Sequence, residues 1–122
     1  MDVVAIEQCD FDAQKAYDAA SAIVEANPDL VGIACGNDDM ALGVVRALEE
    51  KGLNDQVTVV GVDFTEEAKA AIEDGSYDAS VAMSPYLMGK EAVIIMLKAL
   101  EGQDVTDIGD STPMAVVDAS NV

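Results

Sequence analysis

Apolar runs and helical periodicities alternate along the whole chain. Val3 to Glu7 reads as a short strand. From Asp12 to Ala26, the positions Ala16, Ala20, Ile23 and Val24 recur at helical spacing on one face, and Asn27-Pro28 stops the helix. Leu30 to Cys35 is an apolar run of strand length. A second helix follows at once, capped by Asp38 or Asp39 and running to Lys51, with Ala41, Val44, Val45 and Leu48 inward and Gly52 as its stop. Gln56 to Val62 is Val-rich, as a parallel strand buried on both faces should be. Thr65 caps a short helix over Glu66 to Asp74, closed by Gly75. Asp78 to Met83 is the next strand. Ser84-Pro85 then supplies an N-cap and a proline at the first helical position. That helix reaches Glu101, Gly102 ends it, and Met114 to Val117 reads as a final strand.

The order is βαβαβαβαβ. Strands separated by helices imply right-handed crossovers and helices on both faces of the sheet. The expectation is an α/β three-layer sandwich built on a mostly parallel, doubly wound sheet, forming a single domain over residues 1–122. The helix after Ser84 departs from an ordinary amphipathic pattern. Its predicted inward set is Met88, Ala92, Ile95, Met96 and Ala99, which leaves Val93, Ile94 and Leu97 facing elsewhere. Either the helix is buried on two sides or it touches another chain or lobe.

Composition narrows the chemistry. Apolar residues make up 51% of the chain, enough for a core, but aromatics only 4% and Trp is absent, so the core must be aliphatic. The net charge of −18 repels phosphate backbones and anionic membranes, which argues against nucleic acid as a partner. Two cysteines, Cys9 and Cys35, make no disulfide framework, and Cys35 in its apolar run is expected to behave as a small buried hydrophobe. With no His and no CxxC pair, the usual zinc sites and every His-based triad are excluded. There is no Lys-bearing phosphate loop and no GxSxG elbow. Asp10, Asp38, Asp39 and Asp63 could in principle hold Mg²⁺ as in a phospho-acceptor domain, but the later strands supply no Lys to hold a phosphoryl group. No catalytic residue, resident metal or cofactor is expected. No signal peptide is legible after Met1-Asp2, and no run reaches the ~18 apolar residues of a membrane span, so a soluble chain is expected.

The candidate site is the edge where the parallel strands end. Four loops there offer Asp10-Phe11-Asp12, Asn37-Asp38-Asp39, Asp63-Phe64-Thr65 and Met83-Ser84. Loops at the carboxyl edge of an open α/β sheet can converge on one ligand. These residue types suit a neutral polyol: a carboxylate accepts from adjacent hydroxyls, an Asn amide donates and accepts, and a Phe ring covers the C–H face of a sugar. Asp12, Asp38, Asp39, Thr65 and Ser84 are equally readable as N-caps, and Phe64 as cover for the core.

Four segments resemble one family at matching intervals. Asn27-Pro28-Asp29-Leu30 and Gly36-Asn37-Asp38-Asp39-Met40-Ala41-Leu42-Gly43 resemble an "NPD…NDxMALG" stretch; Val59 to Thr65 resembles "VVGFDGT"; Asp74 to Ala82 with Pro85 and Gly89 resembles "DGxLxATVAQxPxxxG"; Asp10-Phe11-Asp12 resembles an "ADFD" turn. The family is that of the periplasmic sugar-binding proteins of the ribose-binding type, whose fold the effector domains of lactose-repressor-type regulators share. The resemblance implies the C-terminal lobe of a sugar ABC transporter's binding component, extracytoplasmic, with a membrane permease as partner. It implies ring stacking by Phe11, hydroxyl hydrogen bonds by Asn37 and Asp63, and Met83 where the family carries Gln. Phe64 stands where the family commonly has Gly. The resemblance also implies that the lobe's first βα unit is missing, along with the strand that separates the first two strands seen here. Direct pairing of those strands, which would bring Cys9 near Cys35, pairing of two copies, or a separate chain would repair the gap. A homodimer is expected. The alternatives are a fragment of a regulator's effector domain and a dimerising module with no ligand.

Overall fold

The computed structural model describes residues 2–106 and 114–122. Among these residues four helices and four strands alternate: α1 (Ala13–Ala26), β1 (Gly32–Ala34), α2 (Asp38–Lys51), β2 (Thr58–Asp63), α3 (Glu66–Asp74), β3 (Ala79–Ala82), α4 (Pro85–Leu100) and β4 (Ala115–Asp118). The sheet order is β1-β2-β3-β4, with β1, β2 and β3 parallel and β4 antiparallel to β3. The α/β class and the mostly parallel sheet are as the sequence pattern predicts. The final strand runs against the rest.

The helix boundaries follow local chemistry. Asp12, Thr65 and Ser84 cap α1, α3 and α4 by accepting the amides of Lys15, Ala68 and Leu87. Gly52 and Gly75 end α2 and α3 in the left-handed conformation that glycine adopts without a Cβ penalty. At α2 the cap is Asn37, which accepts from the amide of Met40, and not Asp38 or Asp39; Asp38 is already the first helical residue.

The core lies between one face of the sheet and α1, α2 and α3. It contains Ala16, Ala20 and Val24 of α1, Ala41, Val44, Val45 and Leu48 of α2, Ala68 and Ile72 of α3, and Val59 of β2. Gly43 brings α1 and α2 together, because a Cβ there would overlap the main-chain carbonyl of Ala13. Arg46 stacks on the Tyr17 ring at 4.5 Å from its centroid and donates to Gln14 at 2.8 Å across the same interface.

Three expectations are corrected. Val3 to Glu7 is not a strand, and Val3, Val4 and Ile6 are exposed; with β1 paired only to β2, no strand among the described residues reaches the opposite edge of β1. The first two predicted strands therefore do not pair. β2 is buried on one face only: Val59 and Gly61 are covered, whereas Val60 on the other face is 38% exposed. The cause is α4, which contributes no buried residue, so the predicted inward set Met88, Ala92, Ile95, Met96 and Ala99 forms no packed third layer. Among the described residues, no helix is long and apolar enough to cross a membrane.

Candidate functional site

Parallel pairing aligns three strand ends. Ala34 pairs with Val60, and Asp63 with Ala82. The segments that follow β1, β2 and β3 thus emerge at the same edge, carrying Asn37, Asp63 and Met83. The fourth loop precedes α1, whose first turn is seated against the middle of α2 at Gly43.

Each candidate has a defined setting. Phe11 is 71% exposed, in a turn where both Asp10 and Phe11 have positive φ. The turn is held by the amide of Asp12 on the carbonyl of Cys9 and by an ion pair of 2.6 Å between Lys15 and Asp10, which keeps the Asp10 carboxyl below its usual pKa. Asn37 is half-buried; Oδ1 accepts the Met40 amide at 3.0 Å, while Nδ2 has no protein partner among the described residues. The amide can cap α2 and donate outward together. Asp63 is exposed, with φ at 110°, and Phe64 follows with φ at 58°. These two residues make a left-handed corner that side chains other than Gly rarely adopt. Partial desolvation, then the charges of Asp38 and Asp39, raise the Asp63 pKa. Met83 is half-buried, and its thioether is at most a weak acceptor.

Below this edge lies a group that the sequence pattern did not reveal. Asp38 is fully buried. Its Oδ1 accepts the hydroxyls of Ser80 at 2.7 Å and Tyr77 at 3.0 Å, and its Oδ2 accepts the Thr65 amide at 3.0 Å. Ser80 Oγ in turn accepts the Phe64 amide at 3.1 Å. Burial and the neighbouring Asp38 charge raise the pKa of Tyr77. Gly61 makes the space: a Cβ there would overlap the Tyr77 hydroxyl and sit 2.9 Å from Asp38 Oδ1. The only hint in the sequence is the adjacency of two acids, one of which the helix needs for neither cap nor solvent.

The four acids do not act together. Asp38 is turned inward to three donors, and among the described residues no group of three His, Cys, Asp or Glu side chains could hold a metal ion. Both cysteines are free and pack against the core. Burial, with smaller contributions from Cys9 and Asp38, pushes the Cys35 thiol up to about 11.

A mostly parallel sheet gathers polar loops at its carboxyl edge, the place where open α/β folds bind ligands, over a satisfied buried carboxylate. The chain belongs to the periplasmic binding protein family, whose domain matches residues 1–104. It is 33% identical over 117 residues to the D-allose-binding periplasmic protein of Escherichia coli, covering 96% of this chain and 38% of that protein. It is 37% identical over 103 residues to the ribose import binding protein of Salmonella typhimurium, covering 84% of this chain and 34% of that protein. The chain thus spans little more than a third of these relatives. Among solved structures, GanP, a glucose-galactose binding protein from Geobacillus stearothermophilus, matches with a TM-score of 0.88 at 26% identity, over 99% of this chain and 43% of that one. An ABC transporter periplasmic solute binding protein from Actinobacillus succinogenes with bound D-allose matches with a TM-score of 0.82 at 28% identity, over 97% of this chain and 42% of that one.

Proposed function

We propose that this chain is the C-terminal lobe of a sugar-binding component of an ABC importer, a binding protein and not an enzyme. It takes a monosaccharide at the carboxyl edge of its sheet. Phe11 stacks on the sugar ring, Asn37 donates through Nδ2, Asp63 accepts from hydroxyls, and Met83 contributes apolar contact where the family pattern it resembles has Gln. The observation that carries the reading is the in-register convergence of the Asn37, Asp63 and Met83 segments, in a chain whose relatives are named for ribose and allose. The function is extracytoplasmic, and a membrane permease receives the sugar from the complete protein. One lobe makes only part of the contacts that enclose a ligand, so its affinity is weak. Saturation-transfer difference NMR with D-ribose and D-allose tests this. Saturation should reach the sugar protons from the wild type and be lost with Asn37→Ala and Asp63→Ala. Equal transfer from both variants would refute the assignment.

The same reading includes a homodimer, favoured by one specific observation. The bare edge of β1 and the apolar Val31, Val60 and Val116 are the surface that pairing of two copies covers. Two chains of −18 repel, so added salt should drive the dimer. Static light scattering at low and high salt should show the mass rising towards twice 12.7 kDa. A monomer mass at every salt concentration refutes pairing.

A further inference from the structure

We infer that Asp38 is the positioning residue of the binding edge: its buried carboxylate reaches up from the start of α2 and fixes the Asp63–Phe64 corner in place. The inference builds on the sugar-binding reading, but its evidence is independent of any ligand. The corner is strained, since Asp63 at φ 110° and Phe64 at φ 58° both lie at positive φ without being glycine. Two amides follow Asp63 in the chain, and both are anchored to the same buried network. The Thr65 amide donates directly to Asp38 Oδ2, and the Phe64 amide donates to Ser80 Oγ, whose hydroxyl donates to Asp38 Oδ1. The Tyr77 hydroxyl completes the set from the chain entering β3. One side chain thus joins the segment after β1, the corner after β2 and the middle of β3. Those are the elements that present Asn37, Asp63 and Met83. Three donors converge on Asp38, and a carboxylate, an acceptor at both oxygens, satisfies all three. Buried polar networks satisfied in this way hold a unique geometry.

The distinction from a merely structural buried acid can be measured. In Asp38→Asn the amide oxygen can keep the Ser80 and Tyr77 hydroxyls, but its NH₂ then faces the Thr65 N–H, donor against donor. The variant cuts the link to the corner selectively. Tyr77→Phe removes a hydroxyl that donates to Asp38 Oδ1 but accepts from neither corner amide, and it serves as the control. Amide hydrogen exchange of the ligand-free proteins, at matched global stability, is the readout. In Asp38→Asn the Thr65 amide should lose protection by about tenfold or more, the equivalent of one hydrogen bond to a charged group, with the Asp63 and Phe64 resonances displaced. In Tyr77→Phe all three residues should stay near the wild type. Equal behaviour of the two variants at the corner overturns the inference. If Asp38→Asn does not fold, Ser80→Ala replaces it: the Phe64 amide should then lose protection by a similar factor, and unchanged protection overturns the inference. A titration of the wild type with D-ribose and D-allose separates the two levels of the argument. No response to these or any other pentose or hexose refutes the ligand reading, while the exchange contrast still decides the role of Asp38.

Discussion

Asp63 shows how the proposed site trades stability against ligand contact. Its carboxylate is partly desolvated and faces the charges of Asp38 and Asp39, so its folded pKa is raised. A group whose pKa is raised on folding contributes stability at low pH that is lost as pH rises through the folded value. At neutral pH the ionised Asp63 therefore disfavours the fold. Asp63→Asn removes the charge and tolerates positive φ, so after solvent screening it should raise the thermal midpoint only slightly, by no more than about 0.5 kcal/mol in stability, while weakening sugar contact, since the amide accepts less strongly than the carboxylate. The gain should vanish in acid, where Asp63 is protonated. A loss of stability at pH 7 in thermal denaturation would contradict this account. The ligand candidates were legible residue by residue because a polar cluster after an apolar run marks the carboxyl edge of a sheet. Asp38 was not. From sequence, an acid at the start of a helix reads as a cap or a solvated charge, and only the folded arrangement shows that Tyr77 and Ser80, 39 and 42 residues away, donate to it.

At the scale of elements, the reading of α1, α2 and α3 held because each carries its own caps and a clear apolar stripe. Val3 to Glu7 has the residue types of a strand, but a strand also needs a partner, and pairing is a property of other segments. The same holds for α4. Its sequence is apolar on more than one face, yet burial depends on what packs against it, and Val93, Met96, Leu97 and Leu100 are exposed. The contact between α1 and α2 gives a sharp test. Gly43→Ala should help the helix intrinsically, by up to ~1 kcal/mol. The added Cβ meets the Ala13 carbonyl, which belongs to backbone and cannot swing away. A net destabilisation of about 1–3 kcal/mol is expected from urea denaturation, and a stabilised variant would show that the helices do not pack this closely. Because α1 begins just after Phe11, the same substitution should displace the Phe11 resonance.

The whole molecule is asymmetric. One face of its sheet is closed by three helices and an aliphatic core; the other face, the β1 edge and α4 leave apolar surface in contact with solvent. The −18 charge keeps such a surface from unspecific association, and it directs pairing towards conditions where charge is screened. Against that background the carboxyl edge of the sheet, the proposed site, is held by caps, an ion pair and a buried carboxylate that support the loops bearing Phe11, Asn37, Asp63 and Met83. The most direct test of its role is a ¹⁵N-HSQC titration with D-ribose, D-allose and other pentoses and hexoses, carried to high millimolar concentration. Saturable shifts gathered at Phe11, Asn37, Asp63 and Met83 are predicted for at least one sugar. A well-dispersed spectrum that stays silent throughout, or that shifts only along α4, would contradict the assignment of this edge as a sugar site.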